Sequence, residues 1–112
     1  MYLVARSTYY YQIPNSLQEI HLLGEVGDYC CYGMKSVLAV YLSSDISSIG
    51  RYAFAGCTRL KNVFLTTNGD WKYERTGYYP DQGTVSKSVM NDSGALSEKL
   101  KKYSSDYYWR KV

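Results

Sequence analysis

Residues 47–65 constrain the fold more than any other stretch, because a whole structural unit can be read in them without a break. The unit opens with an Ile-Gly pair, turns at a Gly-Cys pair, and ends in the alternating apolar residues Leu60, Val63 and Leu65. Alternation of this kind is typical of a short strand with one buried face. The order of these features predicts one turn of a solenoid.

The apolar trio that ends this unit occurs twice more, earlier in the chain. Each occurrence keeps the spacing L-x-x-V-x-L with conservative replacements, and the two earlier trios are Leu17, Ile20, Leu22 and Val37, Val40, Leu42. They begin 20 and then 23 residues apart, from 17 to 37 and from 37 to 60. Repeats of this length predict stacked units, so we expect three parallel strands with these residues in buried columns.

At this point the sequence closely resembles the BspA-type leucine-rich repeat family, whose units read approximately I-G-x-x-A-F-x-x-C-x-x-L-x-x-V-x-L. Residues 49–65 match that pattern almost letter for letter, whereas the preceding unit has Cys30-Cys31 in place of Ala-Phe and Met34 in place of Cys. The tail resembles the end segment of such proteins, and the resemblance covers roughly residues 13–112. It implies a non-enzymatic module at the cell surface or secreted, the C-terminal part of a bacterial or protozoal surface protein that binds host or neighbouring-cell macromolecules.

The predicted fold class is α/β: a short right-handed leucine-rich-repeat solenoid with a small parallel sheet, short helical or 3-10 turns on the return side, and a C-terminal cap containing one helix. Three segments follow: a Tyr-rich N-terminal arm (1–15), the repeats (16–65) and the cap (66–112). In the cap we expect Trp71 to plug the last repeat, residues 77–83 to form an irregular loop, and a helix to begin near Asp92 or Ser93. The arm is either an extended segment or a remnant of an upstream repeat, and we expect self-association through it.

Composition narrows the functional classes. The chain has 112 residues, of which 14 are Tyr, and its net charge is +3. Tyrosine has an apolar ring and a polar hydroxyl, so such a chain favours an amphipathic surface that contacts other macromolecules. The small charge, without a basic cluster interleaved with aromatics, argues against nucleic acid as a partner. No apolar run predicts a membrane-spanning helix, and residues 1–15 lack the apolar core of a signal peptide.

The residues that could carry chemistry are few. Cys30, Cys31 and Cys57 lack C-x-x-C spacing, and we expect Cys57 to be a structural thiol and at most one of the adjacent pair to be exposed. The single histidine, His21, lies in a predicted strand and faces outward, away from these thiols. We therefore predict no catalytic, cofactor-binding or metal-binding residues.

One further set of residues shares the outward face of the predicted strands. The position between the last two apolar residues of each trio is His21, Tyr41 or Phe64, so these side chains are expected to form an aromatic column in register. We predict that this column binds an extracellular-matrix or cell-surface protein. Two alternatives remain: the aromatic residues reflect β-propensity alone, or the chain is a purely structural cap of a longer repeat array without a ligand site.

Overall fold

The computed structural model describes residues 2–4 and 16–112. Within them the chain forms eight strands and two helices. The elements are β1 (Tyr2–Val4), β2 (Glu19–Leu23), β3 (Ala39–Leu42), β4 (Ser48–Ile49), β5 (Asn62–Phe64), β6 (Trp71–Arg75), β7 (Asp81–Val85), α1 (Lys87–Met90), α2 (Ser93–Lys102) and β8 (Tyr108–Lys111). Neither helix is long and apolar enough to cross a membrane, among the residues described.

The first sheet is parallel, with the strand order β1-β2-β3-β5. In its register, Ile20 lies beside Val40 and Val40 beside Val63, while Leu22 lies beside Leu42. All of these side chains are buried. The three parallel strands predicted from the trios are therefore confirmed, with the buried columns of Ile20, Val40 and Val63 and of Leu22 and Leu42. In the predicted column of Leu17, Val37 and Leu60 only the last two are buried, and Leu17 is half-buried.

The second sheet is antiparallel, with the strand order β4-β8-β6-β7. Its central strand β8 carries Trp109, which lies opposite Ile49 of β4 on one side and Tyr73 of β6 on the other. The indole ring is buried and donates its N–H to the Tyr103 carbonyl over 2.7 Å. Because β4 belongs to the connection between β3 and β5, this sheet joins the C-terminal segment to the middle of the chain.

The predicted solenoid is wrong. The structure is a small α/β fold of two sheets that measures 33 × 32 × 22 Å, and one hydrophobic cluster draws on residues of both sheets. On the return side, residues 28–33 and 35–36 form turns rather than helical segments, Val26 forms a bridge with Ile49, and residues 48–49 form a strand. The repeat pattern predicted strands β2, β3 and β5 of the parallel sheet but not β1, and antiparallel pairing between distant segments replaces the regular coil.

The C-terminal segment also differs from the predicted cap with one helix. Residues 66–112 contain three strands and two helices, and residues 81–83, predicted as irregular loop, begin strand β7 of a hairpin. Aromatic and polar residues alternate at the start of β6, a pattern that the search for apolar trios does not detect. The predicted burial of Trp71 is confirmed.

Helix α2 begins where the sequence predicts. The Asp92 carboxylate accepts a hydrogen bond from the Ala95 N–H, as an N-cap residue does, and Leu96 and Leu100 are buried on one face. The Ser97 hydroxyl, also buried, donates to the Leu60 carbonyl over 3.0 Å. The helix thus packs beside β5 and covers one edge of the parallel sheet.

The segment boundaries at residues 15 and 65 stay predictions. Most of the predicted arm, residues 1 and 5–15, lies outside the described residues. Residues 2–4 of it form β1, which pairs in parallel with β2.

Candidate functional site: an aromatic ladder on the parallel sheet

Four aromatic side chains stand side by side across the parallel sheet, one on each strand. They are Tyr2, His21, Tyr41 and Phe64, and we call them the aromatic ladder. The strand register makes each ring the direct neighbour of the next. The three residues predicted from the sequence are therefore brought together as expected.

The rings of the ladder are stacked. Ring centroids are 4.4 Å apart between Tyr2 and His21, 4.4 Å between His21 and Tyr41, and 4.6 Å between Tyr41 and Phe64. The corresponding ring planes differ by 22°, 9° and 15°. These distances follow the spacing of neighbouring strands, so the backbone hydrogen bonds of the sheet set the separation of the rings.

The ladder is open to solvent at both ends and shielded in the middle. Tyr2 is 68% exposed and Phe64 is 39% exposed, whereas His21 and Tyr41 are half-buried between their neighbours. Stacked rings cover each other's faces, so the ladder presents ring edges to a partner. The edge of an aromatic ring carries partial positive charge and favours carbonyl oxygens and other rings.

The ladder is flanked by a column of residues on one side and by an exposed leucine on the other. On one side Glu19, Ala39 and Asn62 lie in register, and the Glu19 carboxylate lies 3.1 Å from the His21 Nε2 atom. On the other side Leu23 is 47% exposed. The surface therefore has an aromatic centre, with a polar or small flank on one side and an exposed leucine on the other.

The fourth rung, Tyr2, was missed by the sequence analysis. Residues 2–4 carry no L-x-x-V-x-L trio, and this segment was assigned to an arm. A shorter signal exists, because an aromatic residue followed by leucine occurs in all four places, at residues 2–3, 21–22, 41–42 and 64–65. At the last three of these places this dipeptide pairs an outward ring with a buried leucine, so the same dipeptide at residues 2–3 would have predicted the fourth strand.

The thiols lie away from the ladder, in the core. Cys30 and Cys31 are both fully buried, with their Sγ atoms 4.0 Å apart, and Cys57 donates its S–H to the Cys31 carbonyl. Burial raises the pKa of Cys57 to about 12, and the hydrogen bond to Cys30 together with burial raises the pKa of Cys31 well above its ordinary value. Both thiols are thus protonated at neutral pH, so neither supplies a thiolate nucleophile. The predicted structural role of Cys57 agrees with its burial.

No group of three or more His, Cys, Asp or Glu side chains in the described part of the chain is arranged to hold a metal ion. Comparison of the chain with protein-family models, with curated proteins and with solved structures finds no match in any of the three. The resemblance to the BspA-type family therefore stays a prediction based on the quoted motifs.

Proposed function

We propose that this chain is a non-enzymatic protein-interaction module that binds a partner protein through the aromatic ladder. The observation that carries the proposal is the continuous stack of four rings on the outward face of the parallel sheet, with exposed rings at both ends. A rigid row of rings loses little side-chain entropy on binding, because stacking already restricts each ring. Aromatic anchors of this kind contribute a large part of the binding free energy in many interfaces.

The surroundings of the ladder support a protein partner. The exposed Leu23 extends the apolar surface on one side, while Glu19 and Asn62 supply a polar margin on the other. An apolar centre with a polar margin is the usual composition of a protein interface. By the resemblance noted above, the partner we propose is an extracellular-matrix or cell-surface protein, and the chain acts at the cell surface or after secretion.

The alternative is a structural cap in which the ladder only stabilises the sheet. Cross-strand aromatic pairs contribute to sheet stability on their own. Under this alternative, removal of the rings lowers stability and changes no binding. Variants that remove the ladder rings therefore distinguish a binding module from a structural cap, because only the binding module loses its capture of a partner.

The test uses the double variant Tyr41→Thr/Phe64→Thr, because threonine keeps a strong β-propensity while it removes both rings. Capture of the full chain is measured on a panel of immobilised extracellular-matrix proteins, with serum albumin as the negative surface. We expect at least one matrix protein to bind the unchanged chain, and the double variant to bind it at least ~10-fold more weakly, which corresponds to 1.4 kcal/mol.

The control is Tyr32→Thr, which removes an exposed ring that is not part of the ladder from the turn between β2 and β3. This control is expected to keep the capture of the unchanged chain. Circular dichroism shows whether the double variant and the control are folded at the assay temperature. Equal capture by a folded ladder variant, or no capture of the unchanged chain by any matrix protein, contradicts the proposal.

A further inference from the structure

A second aromatic surface lies on the side of the antiparallel sheet. It is a cleft of about 310 Å³ between the tip of the β6-β7 hairpin and the turn before β8. We call it the tyrosine cleft, and the lining residues that matter here are Tyr52, Arg75, Tyr78, Tyr79, Ser105 and Asp106. Its volume is at the lower end of the range of small-molecule sites, so it suits a ligand of about one ring.

One wall of the cleft is the end of a stack of backbone turns. Tyr29 donates its N–H to the Arg51 carbonyl, and Tyr52 donates its N–H to the Ser104 carbonyl, so residues 28–29, 51–52 and 105–106 form successive layers. The rings of Tyr29 and Tyr52 stack with centroids 4.8 Å apart. The third layer carries Asp106 instead of a ring, so the stack ends at Tyr52 with a carboxylate beside it.

The other wall is the hairpin tip. Tyr78 and Tyr79 are 90% and 72% exposed, and their rings meet at 72° with centroids 5.0 Å apart. Arg75 is held in place because its Nε donates to the Tyr79 carbonyl over 2.8 Å, while its guanidinium carbon lies 4.8 Å from the centroid of the Tyr107 ring. Two exposed rings and a guanidinium group of fixed position therefore line the same cleft.

The charged side chains around the cleft each lie near a side chain of opposite charge. The Asp106 carboxylate lies 3.8 Å from the Arg51 Nε atom. Arg75 acts on Asp81, whose pKa is lowered first by the hydrogen bond from the Tyr107 hydroxyl and further by this guanidinium. The cleft thus offers hydrogen-bond donors and acceptors without an excess of either charge. A ligand with a net charge gains little from such a site, whereas a neutral polar ligand gains directed hydrogen bonds.

We propose that the tyrosine cleft binds the ring of a neutral sugar. A pyranose has one face of C–H groups, which packs on an aromatic ring because the face of that ring carries partial negative charge. Its hydroxyl groups accept hydrogen bonds from a guanidinium and donate them to a carboxylate, and charge-assisted bonds of this kind are the stronger ones. Tyr52, Tyr78 and Tyr79 supply the packing surfaces, Arg75 the donor and Asp106 the acceptor. This site is separate from the aromatic ladder and does not depend on the function proposed for it.

The experiment is a titration of the full chain, labelled with ¹⁵N, with a panel of neutral methyl glycosides, with N-acetylglucosamine, and with sulfated and uronic-acid glycosides for comparison. Chemical shifts of the backbone amides are followed into the tens of millimolar, the range expected for a single ring. Saturable shifts are expected at residues 75–79 and 104–106 with at least one sugar. The variants Tyr78→Ala and Asp106→Asn are each expected to weaken that binding at least ~5-fold, a change within the range of one lost directed contact.

Asp106→Asn is a suitable variant because residue 106 has φ of 62°, a backbone conformation that asparagine also adopts. Phe64→Thr, on the ladder, serves as the control and is expected to leave sugar binding unchanged. The absence of saturable shifts with every neutral sugar overturns the proposal. So does binding that is unaffected by both cleft variants, or binding of sulfated or uronic-acid glycosides alone.

Discussion

The phenol ring of Tyr73 lies across Gly83, its direct partner in the register of β6 and β7. The ring occupies the space that a β-carbon at residue 83 would need. It also stacks on Tyr103 with a centroid distance of 4.1 Å, and burial, together with a hydrogen bond to Tyr103, raises the pKa of Tyr73 to about 12. Because residue 83 is glycine, the Tyr73 ring can lie across the hairpin and stack on Tyr103.

This relationship predicts the effect of Gly83→Ala. The added methyl group overlaps the Tyr73 ring, so the ring must move away from Tyr103, and we expect a loss of about 1–3 kcal/mol in the free energy of unfolding. Urea denaturation measures the loss. The control is Gly69→Ala, because a β-carbon there would meet only the Lys111 Cε atom, at 3.9 Å. Equal stability of the two variants contradicts the prediction.

A second prediction concerns Glu25, whose carboxylate accepts hydrogen bonds from the backbone N–H and the hydroxyl groups of both Ser47 and Ser48. Burial alone would raise the pKa of Glu25, but these hydrogen bonds lower it below the ordinary value of 4.5. Glu25→Gln removes the charge and one acceptor oxygen. Because the site is exposed, we expect a cost of only about 1 kcal/mol at neutral pH.

The lowered pKa also sets the sign of the pH dependence. A group whose pKa is lower in the folded state stabilises the fold above its unfolded pKa, and this contribution is lost as pH falls through the folded pKa. The difference between the unchanged chain and Glu25→Gln should therefore shrink below pH 4.5, the ordinary value for this group. Denaturant unfolding at several pH values measures it, with Glu98→Gln on α2 as a surface control. If the difference in unfolding free energy between the unchanged chain and Glu25→Gln grows on acidification, the stabilising role of the Glu25 carboxylate is wrong.

A third prediction ranks the rungs of the ladder by their contribution to stability. Tyr41 stacks on both His21 and Phe64, whereas Phe64 stacks on Tyr41 alone among the described residues. Each aromatic pair contributes about 0.5–1.5 kcal/mol, so Tyr41→Thr should cost roughly twice as much as Phe64→Thr. Thermal and urea unfolding of the two single variants give the ranking, and the reverse order would show that stacking is not the main term.

A fourth prediction concerns self-association through the N-terminal arm. Strand β1 is an edge strand of the parallel sheet, and such edges pair readily with another chain. We expect the full chain to associate with increasing concentration and Tyr2→Lys to reduce this, because a charge on an edge strand opposes pairing. Light scattering measures the mass. Tyr79→Lys, at the hairpin tip, makes the same change elsewhere and should have no effect, and a monomeric full chain at every concentration rejects the idea.

Part of the candidate site could be predicted from the sequence because its information is local. The last two residues of the trios ending at Leu22, Leu42 and Leu65 are two positions apart, which indicates strands and their buried faces. Since the trios share one spacing, they also predict which residues become neighbours, and so place His21, Tyr41 and Phe64 in one column. Tyr2 lacks a complete trio and was not found.

The sequence by itself determined the parallel strands β2, β3 and β5, their register and the start of α2, because periodicity and capping act within a few residues. Only the tertiary structure decided which segments of the chain pack against those strands. Ile49 of β4 pairs with Trp109 of β8, and Tyr52 meets Ser105 and Asp106 at one cleft, although more than fifty residues separate them in the chain. Such pairing depends on how surfaces that are distant in sequence bury each other, and the spacing of a repeat does not predict this. The repeats in residues 16–65 therefore predict most of the parallel sheet correctly. The antiparallel sheet, which no repeat predicts, makes the molecule a two-sheet fold instead of a solenoid.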